Sequence, residues 1–144
     1  MVESSNYEGG NFYSSSNYNY DLKILDKSLQ INIHFPYKEK GSYSIALSEQ
    51  RYNLILQTLN QIEDKKYLYF DEQNSINFNK SQILIRINEQ FKLGVITNKD
   101  LSPFYDLIKF TIKESFEKNS RKRIKYFNSK TGSYFFDVRN PPRQ

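Results

Sequence analysis

Apolar and polar side chains alternate twice along this chain, and each alternating run leads into a stretch where apolar residues recur three or four positions apart. In "SLQINIHF", Leu29, Ile31, Ile33 and Phe35 interleave with Gln30, Asn32 and His34, the period of a half-buried strand. "SYSIAL" alternates again through Tyr43, Ile45 and Leu47. Ser48 then stands as N-cap to "EQRYNLILQTLNQI", whose Tyr52, Ile55, Leu59 and Ile62 share one helical face. The second run predicts the same order: "SQILIRIN" and "FKLGVIT" as strands, then Ser102 as cap and Pro103 as first residue of a helix over "FYDLIKFTIKESF". An offset of 54 residues lays Leu29 on Ile83, Ile31 on Ile85, Ile33 on Ile87 and Ser48 on Ser102, so the apolar faces of the two runs coincide.

The remaining segments are less regular. Residues 67–70 and 76–78 read as one or two further strands. "RIKYFN" and "GSYFFDVR" read as a terminal hairpin turning near Lys130, Thr131 and Gly132, which Pro141 and Pro142 bring to an end. Residues 1–20 are Ser, Asn, Gly and Tyr with almost no aliphatic side chain, so they predict a disordered tail, with a strand beginning near residue 18. The expected fold is α+β: a curved antiparallel sheet with two helices, near 48–63 and 102–118, on one face. Two strand-strand-helix repeats (21–64 and 65–118) and a basic hairpin (119–139) would form one domain over 21–139, with 140–144 as a tail.

Length agrees with that organisation, since 144 residues suit a single domain able to bury a core without disulfides or metal. There is no Cys, and therefore no disulfide framework and no Cys-based zinc site. No run reaches the roughly 18 apolar residues that a membrane span needs, and the first residues show no basic-then-apolar leader. A soluble, intracellular protein is expected. "KRIK" at 122–125 fits a short nuclear-import signal if the source is eukaryotic.

Charge changes the picture because it is local. Residues 1–100 carry a net charge of −1, whereas residues 101–144 carry +6. "KNSRKRIKYFNSK" alone brings together Lys118, Arg121, Lys122, Arg123, Lys125 and Lys130 with no acidic residue among them, a run that attracts polyanions. AT-rich codons account for much of the Asn, Lys, Ile, Tyr and Phe, so placement carries more weight than bulk composition.

Catalytic chemistry finds little to work with. The one histidine, His34, lies on the polar side of its strand and has no second His or Cys with which to hold a metal or build a Ser-His-Asp triad. Asp21 with Asp26, and Asp71 with Glu72, read as solvated carboxylates in strand ends or turns. No phosphate-cradling glycine motif is present. No enzyme activity and no cofactor are expected.

Binding has more behind it. An antiparallel sheet with helices on one face leaves the other to solvent, and such faces hold single strands by pairing a basic track with aromatic platforms. The outward strand positions include Gln30, Asn32, His34, Arg86 and Asn88, with Lys27, Lys80 and Lys92 nearby. Arg121, Lys122, Arg123, Lys125 and Lys130 would supply phosphate contacts, and Tyr126 and Tyr134 stacking surfaces. The aromatic residues of this segment either stack on bases or fill the core, and both readings stand. The expected partner is single-stranded DNA or RNA. The alternative is an assembly or adaptor subunit, docked on another protein or a ribonucleoprotein, with no autonomous recognition.

"SYSIALSEQRYNLILQTLNQI" resembles the strand-into-helix segment of Pur-alpha repeats and of the positive-cofactor-four coactivators, and "SYFFDVR" resembles the opening strand of a Pur-alpha repeat. With the Whirly and kinetoplastid guide-RNA-binding proteins, those families share curved antiparallel sheets backed by helices and bind single-stranded DNA or RNA. The resemblance spans residues 21–116 in pattern. It implies that Asn32, Arg86 and Lys92 face nucleic acid, and that the chain forms a homodimer.

Overall fold

The alternation seen in the sequence is what builds the sheet. In the computed structural model, which describes residues 2–7, 18–65 and 81–139 (137–139 as backbone only), seven strands lie antiparallel. In chain order they are β1 (Val2–Tyr7), β2 (Asn19–Leu25), β3 (Ser28–Phe35), β4 (Gly41–Ala46), β5 (Gln82–Ile87), β6 (Gln90–Val95) and β7 (Arg121–Arg123). Helix α1 (Glu49–Glu63) follows β4, α2 (Ser102–Glu117) follows β6, and α3 (Lys130–Arg139) follows β7. The order across the open sheet is β6-β5-β1-β2-β3-β4-β7.

Cross-strand register sorts the side chains into two faces. On the first face Ile24 pairs with Leu29, Leu22 with Ile31, Leu29 with Ile45 and Ile31 with Tyr43, all buried. Ile83, Ile85 and Ile87 extend that face through β1. Ile55, Leu59 and Ile62 of α1 and Phe104, Tyr105, Ile108 and Ile112 of α2 close over it as one core. The two helices thus share a face, as expected, and pack against each other. Ser48 caps α1, accepting from the Arg51 N–H at 3.1 Å. Ser102 does not cap α2: it is already the first helical residue, Leu101 takes the cap position without a side-chain hydrogen bond, and Pro103 follows in the first turn.

Three expectations are corrected. The first is the disordered tail, because Val2–Tyr7 is a buried interior strand of the sheet, paired with β2 on one side and β5 on the other. Its sequence, "VESSNY", has no apolar period, and Glu3, Ser5 and Asn6 are held by hydrogen bonds instead. The Asn6 amide donates to the Tyr18 carbonyl and accepts from the Tyr20 N–H at 2.6 Å, beside the irregularity at Asn19 and Tyr20 where β2 shifts register. The second is the terminal hairpin. Only Arg121–Arg123 is a strand, and Lys130–Arg139 is a helix. Thr131 and Phe135, one turn apart, bury one face of that helix while Ser133 and Phe136 stay in water. The third follows from it: the second sheet face is not open throughout, because α3 packs on β1, β2 and β5. The strands expected at 67–70 and 76–78, the carboxylates Asp71 and Glu72 and the tail 140–144 lie outside the described residues.

The Ile33→Ala and Ile85→Ala variants, each removing a buried side chain from the first face, are expected to lose roughly 2–5 kcal/mol in urea melts. Burial also pushes the Tyr20 hydroxyl well above its ordinary value of 10.0. Above about pH 10 an unfolded chain would therefore release this proton while the native chain keeps it, so stability falls as pH rises. Stability measured from pH 9 to 12 should show that decline, at roughly 1.4 kcal/mol per pH unit for each such group, and Tyr20→Phe should lessen it.

Candidate nucleic-acid interface

The second face carries cross-strand rows that are polar for most of their length. One row is Phe91, Arg86, Glu3, Lys23, Gln30, Ser44 and Lys122, each beside its partner on the next strand. A parallel row is Leu93, Leu84, Ser5, Asp21, Asn32 and Ser42. The basic segment after α2 crosses this face. It leaves β7 at the sheet edge, runs over β3 through residues 124–129 as a strap, and enters α3 above β1 and β2.

Three anchors hold the strap. At its start, β7 pairs with β4 and the Ile124 N–H donates to the Ser42 carbonyl at 3.0 Å. In the middle, the Asn32 amide donates to the Phe127 carbonyl at 2.7 Å and accepts from the Phe127 N–H at 3.5 Å and from the Ser42 hydroxyl at 2.6 Å. At its end, Ser129 caps α3, accepting from the Gly132 N–H at 2.9 Å, and Glu3 Oε1 accepts from the Lys130 N–H at 3.2 Å. A carboxylate on the first free N–H of a helix is favoured by the helix dipole. Gly132 is needed there, because a Cβ would come within 2.7 Å of the Asp21 carboxyl carbon and of the Ser129 hydroxyl.

This arrangement divides the candidate residues. Asn32, Arg86 and Lys92, expected to face outward, are all buried. Asn32 lies under the strap, and Arg86 Nη1 donates to Glu3 at 3.4 Å while Nη2 donates to Glu89 at 2.6 Å. Lys92 sits beside Ile85 on the helix-covered face, where Nζ donates to the Lys65 carbonyl at 3.2 Å. Asn32 and Arg86 do lie on the polar side of their strands, but the strap covers Asn32 and carboxylates enclose Arg86. Asp21, expected to be solvated, is buried and lies 2.8 Å from His34 Nε2. Lys80 lies outside the described residues.

The basic segment keeps most of its cations in water. Lys122, Arg123, Lys125, Tyr126 and Lys130 are exposed, and Lys27 projects from the β2–β3 turn. Arg121 is the exception: its guanidinium lies 3.9 Å from the Phe116 ring centroid and 5.5 Å from that of Tyr43, a packed cation–π cluster on the helix side of the edge. Arg123 is also near Tyr43, with Nη2 donating to its hydroxyl at 3.4 Å, yet stays exposed. Lys23 stands 5.2 Å from the Phe127 ring under the strap. Tyr134 is half-buried, edge-on to Phe135, whose own ring stacks on Tyr7. The aromatic residues thus divide between the two uses: Phe135 fills a core, and Tyr126 faces solvent.

Sequence reasoning missed Lys23, Asn128, Ser133 and Phe136 as members of this surface. Only the Ser129-to-Gly132 cap could have pointed to a helix that brings the last three together. Among the described residues no cluster of His, Asp and Glu could hold a metal ion, and no helix is long and apolar enough to cross a membrane. No family model, curated protein or solved structure matches the chain.

Two variants test the anchors. Asn32→Ala strands the Phe127 and Ser42 groups it now pairs, and is expected to cost roughly 1–3 kcal/mol in urea melts. Gly132→Ala should displace α3 and raise amide hydrogen exchange in residues 124–136 while leaving protection in β2 and β3 near the wild-type level.

Proposed function

We propose that this chain binds single-stranded nucleic acid without catalysing a reaction on it. The observation that carries the reading is the strap: four exposed cations, Lys122, Arg123, Lys125 and Lys130, are set along a segment pinned to the sheet, with exposed Tyr126 among them. Pinning matters because a phosphate track held in place loses less conformational entropy on binding than a free basic tail. Lys27 and Lys23 add positive charge on the same half of the sheet. Backbone phosphates would lie along the strap, and stacking on aromatic rings would add affinity with little dependence on sequence.

A second reading is favoured by a different surface. Leu54 of α1 and Phe110 of α2 are large apolar side chains exposed on the helical layer, and Arg51 lies 5.0 Å from the Phe110 ring. In that reading the helices dock on a protein partner and the chain serves as an adaptor.

Salt dependence separates the two. With four or five phosphate contacts, log K for a single-stranded oligonucleotide should fall with log salt at a slope of roughly −3, and Lys122→Ala, Arg123→Ala and Lys125→Ala combined should flatten it by about 2. Arg121→Ala should lower stability and change the slope little, because its guanidinium is committed to Phe116 and Tyr43. Fluorescence-anisotropy titrations at several salt concentrations measure both. Failure of the wild-type protein to bind any single strand at low salt would leave the adaptor reading in its place.

A further inference from the structure

Exposed aromatic rings are few among the described residues, and two of them meet at one place. Tyr126, 57% exposed on the strap, and Phe136, 55% exposed on α3, line the same cleft. Asp21, His34, Asn128, Ser129, Gly132 and Ser133 line the rest of it, so the cleft offers polar atoms as well as rings. The cavity volume is about 100 Å³. That is well below the roughly 300–1,000 Å³ of sites for drug-sized ligands, and is on the scale of a single planar ring system.

The walls are rigidly held. His34 Nε2 lies 2.8 Å from Asp21 Oδ2, and the imidazole meets the Tyr126 ring edge-on at 6.3 Å between centroids. The Ser133 hydroxyl donates to the Ser129 carbonyl at 3.0 Å, which orients its lone pairs for accepting. The Asn128 amide offers both donors and acceptors. Flanking cations complete the setting, since Lys125 precedes Tyr126 and Lys130 opens α3.

We infer that this cleft receives one nucleobase of the bound strand. Tyr126 and Phe136 supply stacking surface, and Asn128 and Ser133 supply hydrogen bonds to the edge of the base. The inference rests on the single-strand reading above and adds to it a defined place where a base, rather than a phosphate, is held. Splayed bases of single strands are commonly taken up in this manner, stacked on rings and bonded along their edges. Exposed Phe110 and Tyr37, which line no part of this cleft, would contribute nothing.

The test compares a single-stranded oligonucleotide with an abasic strand of the same length, using wild type and Tyr126→Ala, Phe136→Ala, Tyr37→Ala and Phe110→Ala. The first two variants should weaken binding of the normal strand by roughly 5- to 150-fold with an unchanged salt slope, and should not alter binding of the abasic strand. The other two should match wild type. Ser133→Leu, which fills the cleft while keeping both rings, should reproduce the loss if either ring variant melts early. Equal affinity of wild type for normal and abasic strands would overturn the inference, as would cleft variants that bind like wild type; the strap reading would survive both. Displacement of the strand from wild type by a free nucleoside monophosphate, with no loss in the ring variants, would also overturn it. If the wild-type protein binds neither strand, the single-strand reading and the cleft assignment both fall.

Discussion

The Glu3 carboxylate holds three parts of the molecule to one point. It lies buried on β1, accepts from Arg86 on β5, and accepts from the first N–H of α3. A carboxylate and a guanidinium taken out of water together lose several kcal/mol of hydration each, and only partners in good geometry compensate. The Glu3–Arg86 pair therefore favours one arrangement, in which β1 joins β2 to β5 and α3 lies against the second face. Among the described residues, β1 is the strand that connects the two halves of the sheet.

The consequence reaches the surface. With α3 fixed at Glu3 and β7 fixed to β4, the ten residues from Arg121 to Lys130 span the face between two anchors, and Asn32 ties them down at Phe127. Cations that would sample many positions on a loose tail are held at the sheet instead. Arg121 packs its guanidinium on Phe116 and Tyr43, whereas Lys122, Arg123, Lys125 and Lys130 remain in water. The proposed function depends on that division, and so does the cleft, whose two rings come from the strap and from α3.

What was legible in the sequence was whatever had a period. Leu29, Ile31 and Ile33 mark β3 to within a residue, and the helical spacing of Ile55, Leu59 and Ile62 marks α1. β1 was not legible, because Ser4, Ser5 and Asn6 are buried without an apolar pattern. Asn6 shows why they can be: its partners are backbone groups of Tyr18 and Tyr20, more than ten residues away, and no local rule foretells them. α3 was misread because Tyr134, Phe135 and Phe136 are consecutive and fit neither period, while the deciding feature is the Ser129 cap with Thr131 and Phe135 on one side. Asn32 and Arg86 were identified as polar residues of the second face, yet the burial of Asn32 depended on the strap and that of Arg86 came with its pairing to Glu3 on β1. The basic run alone carried its signal directly, since charge placed next to Ser and Asn in a turn-rich segment is rarely buried.

A polar strand inside the sheet, held by Glu3, thus organises both faces. Native-state hydrogen exchange on the backbone amides of Val2–Tyr7 tests it most directly. These amides are expected to exchange as slowly as those of β2 and β3, only when the whole domain opens, while residues 124–129 exchange through smaller openings. Fast exchange throughout Val2–Tyr7, at the rate of an unstructured peptide while β2 and β3 stay protected, would contradict it.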